Sequence, residues 1–529
     1  MAATRGDRPN FLFFIADQLR CDHLGCYGNQ TVKTPQIDGL AAAGFASDAF
    51  YVASPICMPN RATLMTGRMP SVHGVRHNGI PLALTSTTFV DRLRLAGYRT
   101  ALIGKSHLQN MTGNPPLWPA DPADRLGTEA RADDGGRYDQ EWAPAWATNP
   151  AHDVDLPFYG FDAVDLTIEH GDDLQGHYRR WLNAAHPGAE NLLGPKHATP
   201  APEYELTKFR QAWRTRIPAE LHPSAYCATR AVARLEDYAA TGEPFFLMCS
   251  FADPHHPYTP PGKYWDMYRP ENVELPRSFR APTDRLPPHV KWLHTQRDAG
   301  KAVKHTPMLF AATEREVREA MALNYGLISF IDDCVGRVLA RLDALGLAEN
   351  TVVIFTADHG DYMGDHQLML KGPIHYRSIT QVPFIWRGPA LPPGQRSGAF
   401  AGTIDLAPTI LARAGVPAFN GIQGHDMRPL MESGAPLYDE MLIEEEGQRG
   451  GLGIPGRART RSLITGRYRL SLYDGVDWGE LYDRAADPDE SINLWDEPSA
   501  QALRGALLLR LAHKMIAVSE TSPNPTATA

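Results

Sequence analysis

Short runs of consecutive apolar residues, rich in β-branched and aromatic side chains, punctuate the chain. They cover Phe11 to Ala16, Thr100 to Ile103, Pro244 to Phe251, Thr351 to Thr356 and Val382 to Trp386. Runs of this length without polar alternation predict strands buried on both faces. Between them, apolar residues recur at helical spacing over Thr87 to Ala96, Glu314 to Leu345 and Asp405 to Ala414. The last stretch has Asp405 in the N-cap position and Gly415 as its stop. Continuous apolar strands alternating with helices predict an α/β fold, a mostly parallel sheet sandwiched by helices.

Two stretches depart from this rhythm. Residues from about 110 to 240 are rich in Pro, Trp, Asp and Gly and carry little periodicity. They read as a long insertion with some helix, suited to walling a pocket. The composition shifts again at Met431-Glu432-Ser433-Gly434. Beyond it, Leu463 to Tyr473 alternates like an antiparallel strand pair, and Ala500 to Val518 has the spacing of an amphipathic helix. The expected division is a main α/β domain over 1–434 and a smaller C-terminal α+β domain over 435–529.

Charge narrows the function classes. Lys plus Arg is 52 and Asp plus Glu is 61, a net charge of −9. An acidic chain is a poor nucleic-acid binder, so any anionic substrate must be held by local cations. No apolar run approaches the roughly 18 residues of a membrane span. The N-terminal apolar run is too short for a secretory leader, and the cytoplasm is the expected location. The six cysteines, Cys21, Cys26, Cys57, Cys227, Cys249 and Cys334, form no CxxC pair. A disulfide framework or structural zinc site is therefore not expected.

Ligands of open parallel sheets bind beyond the carboxyl ends of the strands. Four predicted strand ends carry reactive groups: Asp17-Gln18, then Lys105 and His107, then Pro254-His255-His256-Pro257, then Asp358-His359. A single Asp or His at such a place is usually a turn residue or is solvated. Four together point to one site. In Ser54-Pro55-Ile56-Cys57-Met58-Pro59-Asn60-Arg61, Pro59 marks a helix start, because its missing donor costs nothing there. Cys57 then lies at the helix N-terminus, where the dipole favours anions, and Arg61 lies one turn on. From position alone, a buried structural cysteine is the commoner reading.

The motifs shift that balance. Cys57-x-Pro59-x-Arg61 resembles the sulfatase motif, whose cysteine is oxidised to formylglycine; Asn60 fills its variable position. Phe14 to Arg20, Thr66-Gly67-Arg68, His73-Gly74-Val75 and Asn78-Gly79 resemble the segments around it. Gly104-Lys105-Ser106-His107 is similar to the arylsulfatase GKxH motif. Thr356 to Gly360, Gly364-Asp365-His366 and Lys371 resemble the second metal segment and its lysine. Glu480 to Asp483, Asp487-Pro488 and Asn493-Leu494 resemble a C-terminal sulfatase segment. The resemblance spans most of the chain outside about 110 to 240, and the chain is identified as a member of the sulfatase branch of the alkaline phosphatase superfamily.

The resemblance implies an alkaline-phosphatase-like sheet and a hydrolase of small sulfuric esters. It implies one divalent metal held by Asp17, Gln18, Asp358, His359 and residue 57. The hydrated formylglycine at position 57 would attack sulfur, with Arg61 stabilising its ionised hydroxyl. Lys105, Lys371 and Asn78 would hold the sulfate oxygens. His255, with His256 beside it as the alternative, would protonate the leaving alcohol or phenol, and His107 would take a proton as sulfate departs. A formylglycine-generating maturation enzyme is an implied partner. No nucleic acid and no membrane are expected, and the C-terminal segment and the Pro-rich insertion each offer an interface for a homo-oligomer.

Departures from the family pattern keep alternatives open. Gln18 and His359 stand where many sulfatases have Asp and Asn, a softer donor set that weakens the preference for Ca²⁺ and admits Mn²⁺. The Asp-Gln and Asp-His pairs are similar to those of choline sulfatases and phosphonate monoester hydrolases. The latter usually carry Tyr and Thr at the places of Lys105 and His107. A phosphonate monoester or phosphodiester hydrolase is therefore the alternative, and an unmodified anion-binding protein a weaker one. A two-metal phosphatase is disfavoured by the positive charge of Lys105, His107 and Lys371. His366 and His375 are read either as substrate groups or as packing residues. Trp118, Trp142, Trp146 and Trp213 are read either as stacking surfaces or, more commonly, as local core. Glu444-Glu445-Glu446 is read as a solvated or strand-end face.

Overall fold

The predicted apolar runs become the middle of a nine-stranded sheet. From edge to edge its strands are Gln395–Ser397, Phe45–Ser47, Phe384–Arg387, Thr351–Ala357, Asn10–Ala16, Phe245–Phe251, Arg99–Gly104, Ala163–Ile168 and Gln175–Gly176. This is a computed structural model, and it describes residues 8–115, 134–305, 308–389, 391–447, 452–454 and 457–528. The five strands from Thr351–Ala357 to Ala163–Ile168 run parallel. Every residue of Asn10–Ala16, Phe245–Phe251 and Thr351–Ala357 is buried, as continuous apolar strands must be when helices cover both faces.

The flanking helices follow their sequence signals. Glu314–Ala344 starts in a capping box of Thr313 and Glu316, and Phe89–Leu95 starts in one of Thr88 and Asp91. Leu406–Arg413 does start after Asp405, but that carboxylate does not cap it. A short 3₁₀ turn, Thr403–Asp405, turns the side chain back, so it accepts from Gly402 N and His425 N, each at 2.8 Å. Phe384–Arg387 is a buried strand as expected but runs antiparallel to Thr351–Ala357.

The stretch read as an insertion contributes to the main sheet. Ala163–Ile168 is its fifth parallel strand, and the 19-residue helix Pro223–Thr241 leads into Phe245–Phe251. Trp118 lies outside the described residues. Past the second composition shift, Glu440–Glu446, Arg459–Thr465, Tyr468–Tyr473 and Gly479–Asp483 form an antiparallel sheet covered by the helix Gln501–Ala517. Leu442, Leu463, Leu470 and Leu481 of this sheet share a core with Ala53, Met69 and Ile404. The run Glu444 to Glu446 does end a strand, but it is buried, not solvated. Arg461 and Arg459 on the neighbouring strand pair with Glu444 and Glu446, and more distant residues add Ser71 for Glu444, His375 for Glu445 and Arg76 for Glu446. Among the described residues, no helix is long and apolar enough to cross a membrane.

Candidate active site

All five parallel strands deliver side chains to one buried cluster at their carboxyl ends. Asp17 and Gln18 follow Ala16, Lys105 and His107 follow Gly104, His255 follows Phe251, and Asp358 and His359 follow Ala357. The fifth strand end supplies His170. Gly104 makes the second turn possible: it has φ +99°, and a Cβ there would lie 1.8 Å from the Ser250 carbonyl oxygen. Helix Cys57–Thr66 points its N-terminus at the cluster, with Cys57 as first residue and Pro59 in the first turn.

One side of the cluster is a donor set for a cation. Ligand atoms of Asp17, Cys57, Asp358 and His359 lie within 4.8 Å of one another, and all four residues are buried. Gln18 joins them through its amide oxygen, whose direction is fixed. The amide nitrogen donates to Asp361 Oδ2 at 2.5 Å and lies 3.2 Å from His256 Nδ1, so Oε1 faces inward. The His359 tautomer is fixed likewise: Nδ1 donates to the Gly360 carbonyl at 2.8 Å, leaving the Nε2 lone pair toward the cluster. Lys371 Nζ donates into this set, to Gln18 Oε1 at 2.9 Å and His359 Nε2 at 2.9 Å. A positive group thus already sits among these donors. Two carboxylates, an amide oxygen and an imidazole fit a divalent ion of the Ca²⁺ or Mn²⁺ kind.

The other side is built for an anion. Cys57 Sγ lies 3.0 Å from Lys371 Nζ and 3.1 Å from His359 Nε2. Burial alone would raise this thiol, but Lys371 and Lys105 overcome it and bring it down to about 7. The other five cysteines are all pushed up, chiefly by burial. Lys105 is fully buried and paired with Asp17. Arg61 donates to Asp358 Oδ2 at 2.8 Å, the Lys105 carbonyl at 2.9 Å and Ser250 Oγ at 3.0 Å. Its Nη2 is buried without a partner, as is His107 Nδ1. Burial, then Lys105, holds His107 well below its ordinary value, which favours the neutral imidazole. Asn78 accepts from Met58 N at 3.1 Å, which leaves its amide nitrogen beside the helix start. Asn60 donates to the Asp358 carbonyl at 2.5 Å and so ties the helix to that strand end.

The two adjacent histidines separate. His255 Nδ1 donates to the His256 carbonyl, and His255 Nε2 lies 3.1 Å from Lys371 Nζ, facing the cluster. His256 instead buttresses Gln18. His366 stacks on Tyr376 at 4.1 Å, and His375 bonds Ser462 Oγ at 2.7 Å, so both pack the loop around Lys371. Trp146 is buried under Arg180 at 4.2 Å, and Trp213 is buried with its Nε1 donating to Asp172 at 3.0 Å; both are local core. Trp142 is 40% exposed.

Three residues escaped the sequence reading. Glu141 accepts from the backbone N–H groups of His107 (2.6 Å), Leu108 (2.9 Å) and Gln109 (2.9 Å), holding the turn that carries His107. Asp361 orients Gln18. His170 Nε2 lies 2.6 Å from Lys105 Nζ and 3.3 Å from Asp17 Oδ2. The strand-end rule that located the other groups would also have located His170, had Ala163–Ile168 been read as a strand.

The chain is similar to known proteins in sequence and in fold. The sulfatase family profile matches residues 9–416, and that of the N-sulphoglucosamine sulphohydrolase C-terminal region matches residues 364–517. The chain is 29% identical over 495 residues to an uncharacterized sulfatase, YidJ, of Escherichia coli, covering 93% of this chain and 84% of that one. It is 29% identical to the multifunctional alkaline phosphatase superfamily protein PehA of Trinickia caryophylli, with 96% of each covered. In three dimensions it resembles the phosphonate monoester hydrolase of Agrobacterium radiobacter, with a TM-score of 0.75, 24% identity and 97% of each chain covered. The profile spans most of the chain, which therefore belongs to the sulfatase family of the alkaline phosphatase superfamily and is an enzyme of the sulfatase class.

Proposed function

We propose that the protein hydrolyses small sulfate monoesters, aryl sulfates among them, using an oxidised residue 57 and one divalent cation. The observation that carries this is the position of Cys57 Sγ, 3.1 Å from His359 in the cation donor set and 3.0 Å from the Lys371 ammonium. Asp17, Gln18, Asp358 and His359 would hold Ca²⁺ or Mn²⁺. When bound, the ion acidifies the attacking oxygen that the hydrate of formylglycine 57 supplies.

The chain's own residues do the rest. Lys105, Lys371 and Asn78 hold the terminal sulfate oxygens and stabilise charge in the transition state. Arg61, one turn into the helix whose positive end carries residue 57, favours the ionised form of that residue. His255 Nε2 gives a proton to the leaving oxygen. Burial first, then His170, His256 and Lys371, hold His255 well below its ordinary value in the free protein. It therefore carries that proton only when the substrate's negative charge is beside it. His107, held neutral, takes a proton from residue 57 as sulfate leaves.

A second reading, phosphonate monoester hydrolysis with the same nucleophile, draws on the Gln18 and His359 donors and on the fold likeness to a phosphonate monoester hydrolase. The deeply buried Lys105 weighs against it as the main activity. The test is production alongside a formylglycine-generating enzyme, peptide mass at position 57, and sulfate release from an aryl sulfate. The expected result is an aldehyde and saturable release. An aldehyde without release contradicts the reading.

A further inference from the structure

His170 lies against Lys105 and Asp17 but belongs to none of the motifs named above. Its backbone is held in an unusual turn. Glu169 has φ +81° and Gly171 has φ +80°, so the residues on both sides of His170 are left-handed. A side chain keeps that conformation only where its surroundings over-determine it. At Gly171 a Cβ would lie 3.1 Å from Pro257 Cγ and 3.4 Å from the Trp213 ring, so the turn is also packed shut from behind. The chain is bent here to deliver an imidazole.

The imidazole meets Lys105, one of the groups proposed to hold sulfate oxygens, and His255, the proposed proton donor. The Lys105 ammonium pairs with Asp17, and His170 Nε2 lies against both, 2.6 Å from Lys105 Nζ and 3.3 Å from Asp17 Oδ2, so the imidazole fixes the position of that pair. The ring of His170 stacks on that of His255 at 3.8 Å, and His255 stacks on His256 at 4.0 Å. His170 is also the outermost of these groups, with 21% of its side chain exposed against none for Asp17 and Lys105.

A sulfate monoester presents three terminal oxygens, all acceptors. A phosphonate monoester presents two, and a carbon substituent replaces the third. A wall of ammonium and imidazole can satisfy a third oxygen, whereas against carbon its donors would be buried unpaired. We propose that His170 determines specificity: by fixing Lys105 and backing His255, it makes the pocket select sulfate monoesters over phosphonate monoesters. This rests on the function proposed above.

The test compares wild type, His170→Ala and His170→Gln, each confirmed to carry the aldehyde and loaded with metal. Three quantities are read: kcat/KM for a matched aryl sulfate and aryl phosphonate, calorimetric affinity for inorganic sulfate, and Tm. The expected result for His170→Ala is a sulfate-to-phosphonate ratio lower by about tenfold or more, in line with a lost or misdirected donor. Sulfate affinity should weaken in parallel at unchanged Tm, and Gln, which can still accept from Lys105, should restore part of both. A ratio unchanged from wild type, or equal losses for both substrates, overturns the inference. A wild type inactive on aryl sulfate overturns instead the functional reading beneath it.

Discussion

Arg61 and Arg469 are the two most deeply buried arginines among the described residues, and their surroundings differ in kind. Arg469, in the C-terminal sheet, has all its donor nitrogens engaged: Nε on Glu490 at 2.7 Å, Nη1 on Ser471 at 2.8 Å and Nη2 on Glu480 at 3.0 Å. The Tyr482 and Tyr376 rings lie 4.6 and 5.1 Å from its guanidinium carbon. Arg61, at the strand ends, has a buried Nη2 with no partner. Around it Lys105 and Lys371 add positive charge against Asp17 and Asp358. A closed cluster of matched charges holds parts together. An open one with spare cations and an orphaned donor is completed by a ligand.

The largest expected effect falls on the open cluster. Cys57→Ala should abolish aryl sulfate turnover, by on the order of 10⁶ if it behaves as other lost nucleophiles do. Tm should hold, and steady-state kinetics with calorimetry check both. Next, Arg469→Met should cost about 3–5 kcal/mol of stability, because it leaves the buried Glu480 and Glu490 without the guanidinium that neutralises both. The specific activity of the folded fraction should be retained, which denaturant unfolding and activity at low temperature will separate. Lys371→Ala should reverse that pattern, losing about 10²–10³ in kcat at near-native stability. If Arg469→Met instead removes activity without destabilising, the distinction between the two clusters fails.

The smallest effect is spectroscopic. In metal-free protein with Cys57 unmodified, thiolate absorbance near 240 nm should rise once as pH climbs through about 7, from Cys57 alone. The sign follows from its lowered value: the anion forms above that pH and is lost below it. The other five thiols are pushed up and stay protonated. Cys57→Ala should remove the step.

The same contrast explains what could be read from the chain. The central strands were legible because burial on both faces leaves an unbroken apolar run. Ala163–Ile168 was not, because Asp165 and Thr167 interrupt it; Asp165 bonds Arg230 Nε at 3.0 Å on the helix behind the sheet. Missing that strand hid His170. Reactive groups placed by motifs at strand ends could be named from sequence, since their chemistry constrains residue type and spacing together. Glu141 left no such trace: it binds three backbone N–H groups, which any residues supply. Glu444 to Glu446 misled because composition records charge, while Ser71, Arg76 and His375, which bury them, are far away in the chain.

The most direct measurement is kcat/KM for a matched aryl sulfate and aryl phosphonate in wild-type protein confirmed to carry the aldehyde. Each tenfold preference corresponds to about 1.4 kcal/mol of differential transition-state stabilisation. The account predicts that sulfate wins by several decades, through Lys105 and His107. A preference for phosphonate would contradict it and make Gln18 and His359 the better guides to function.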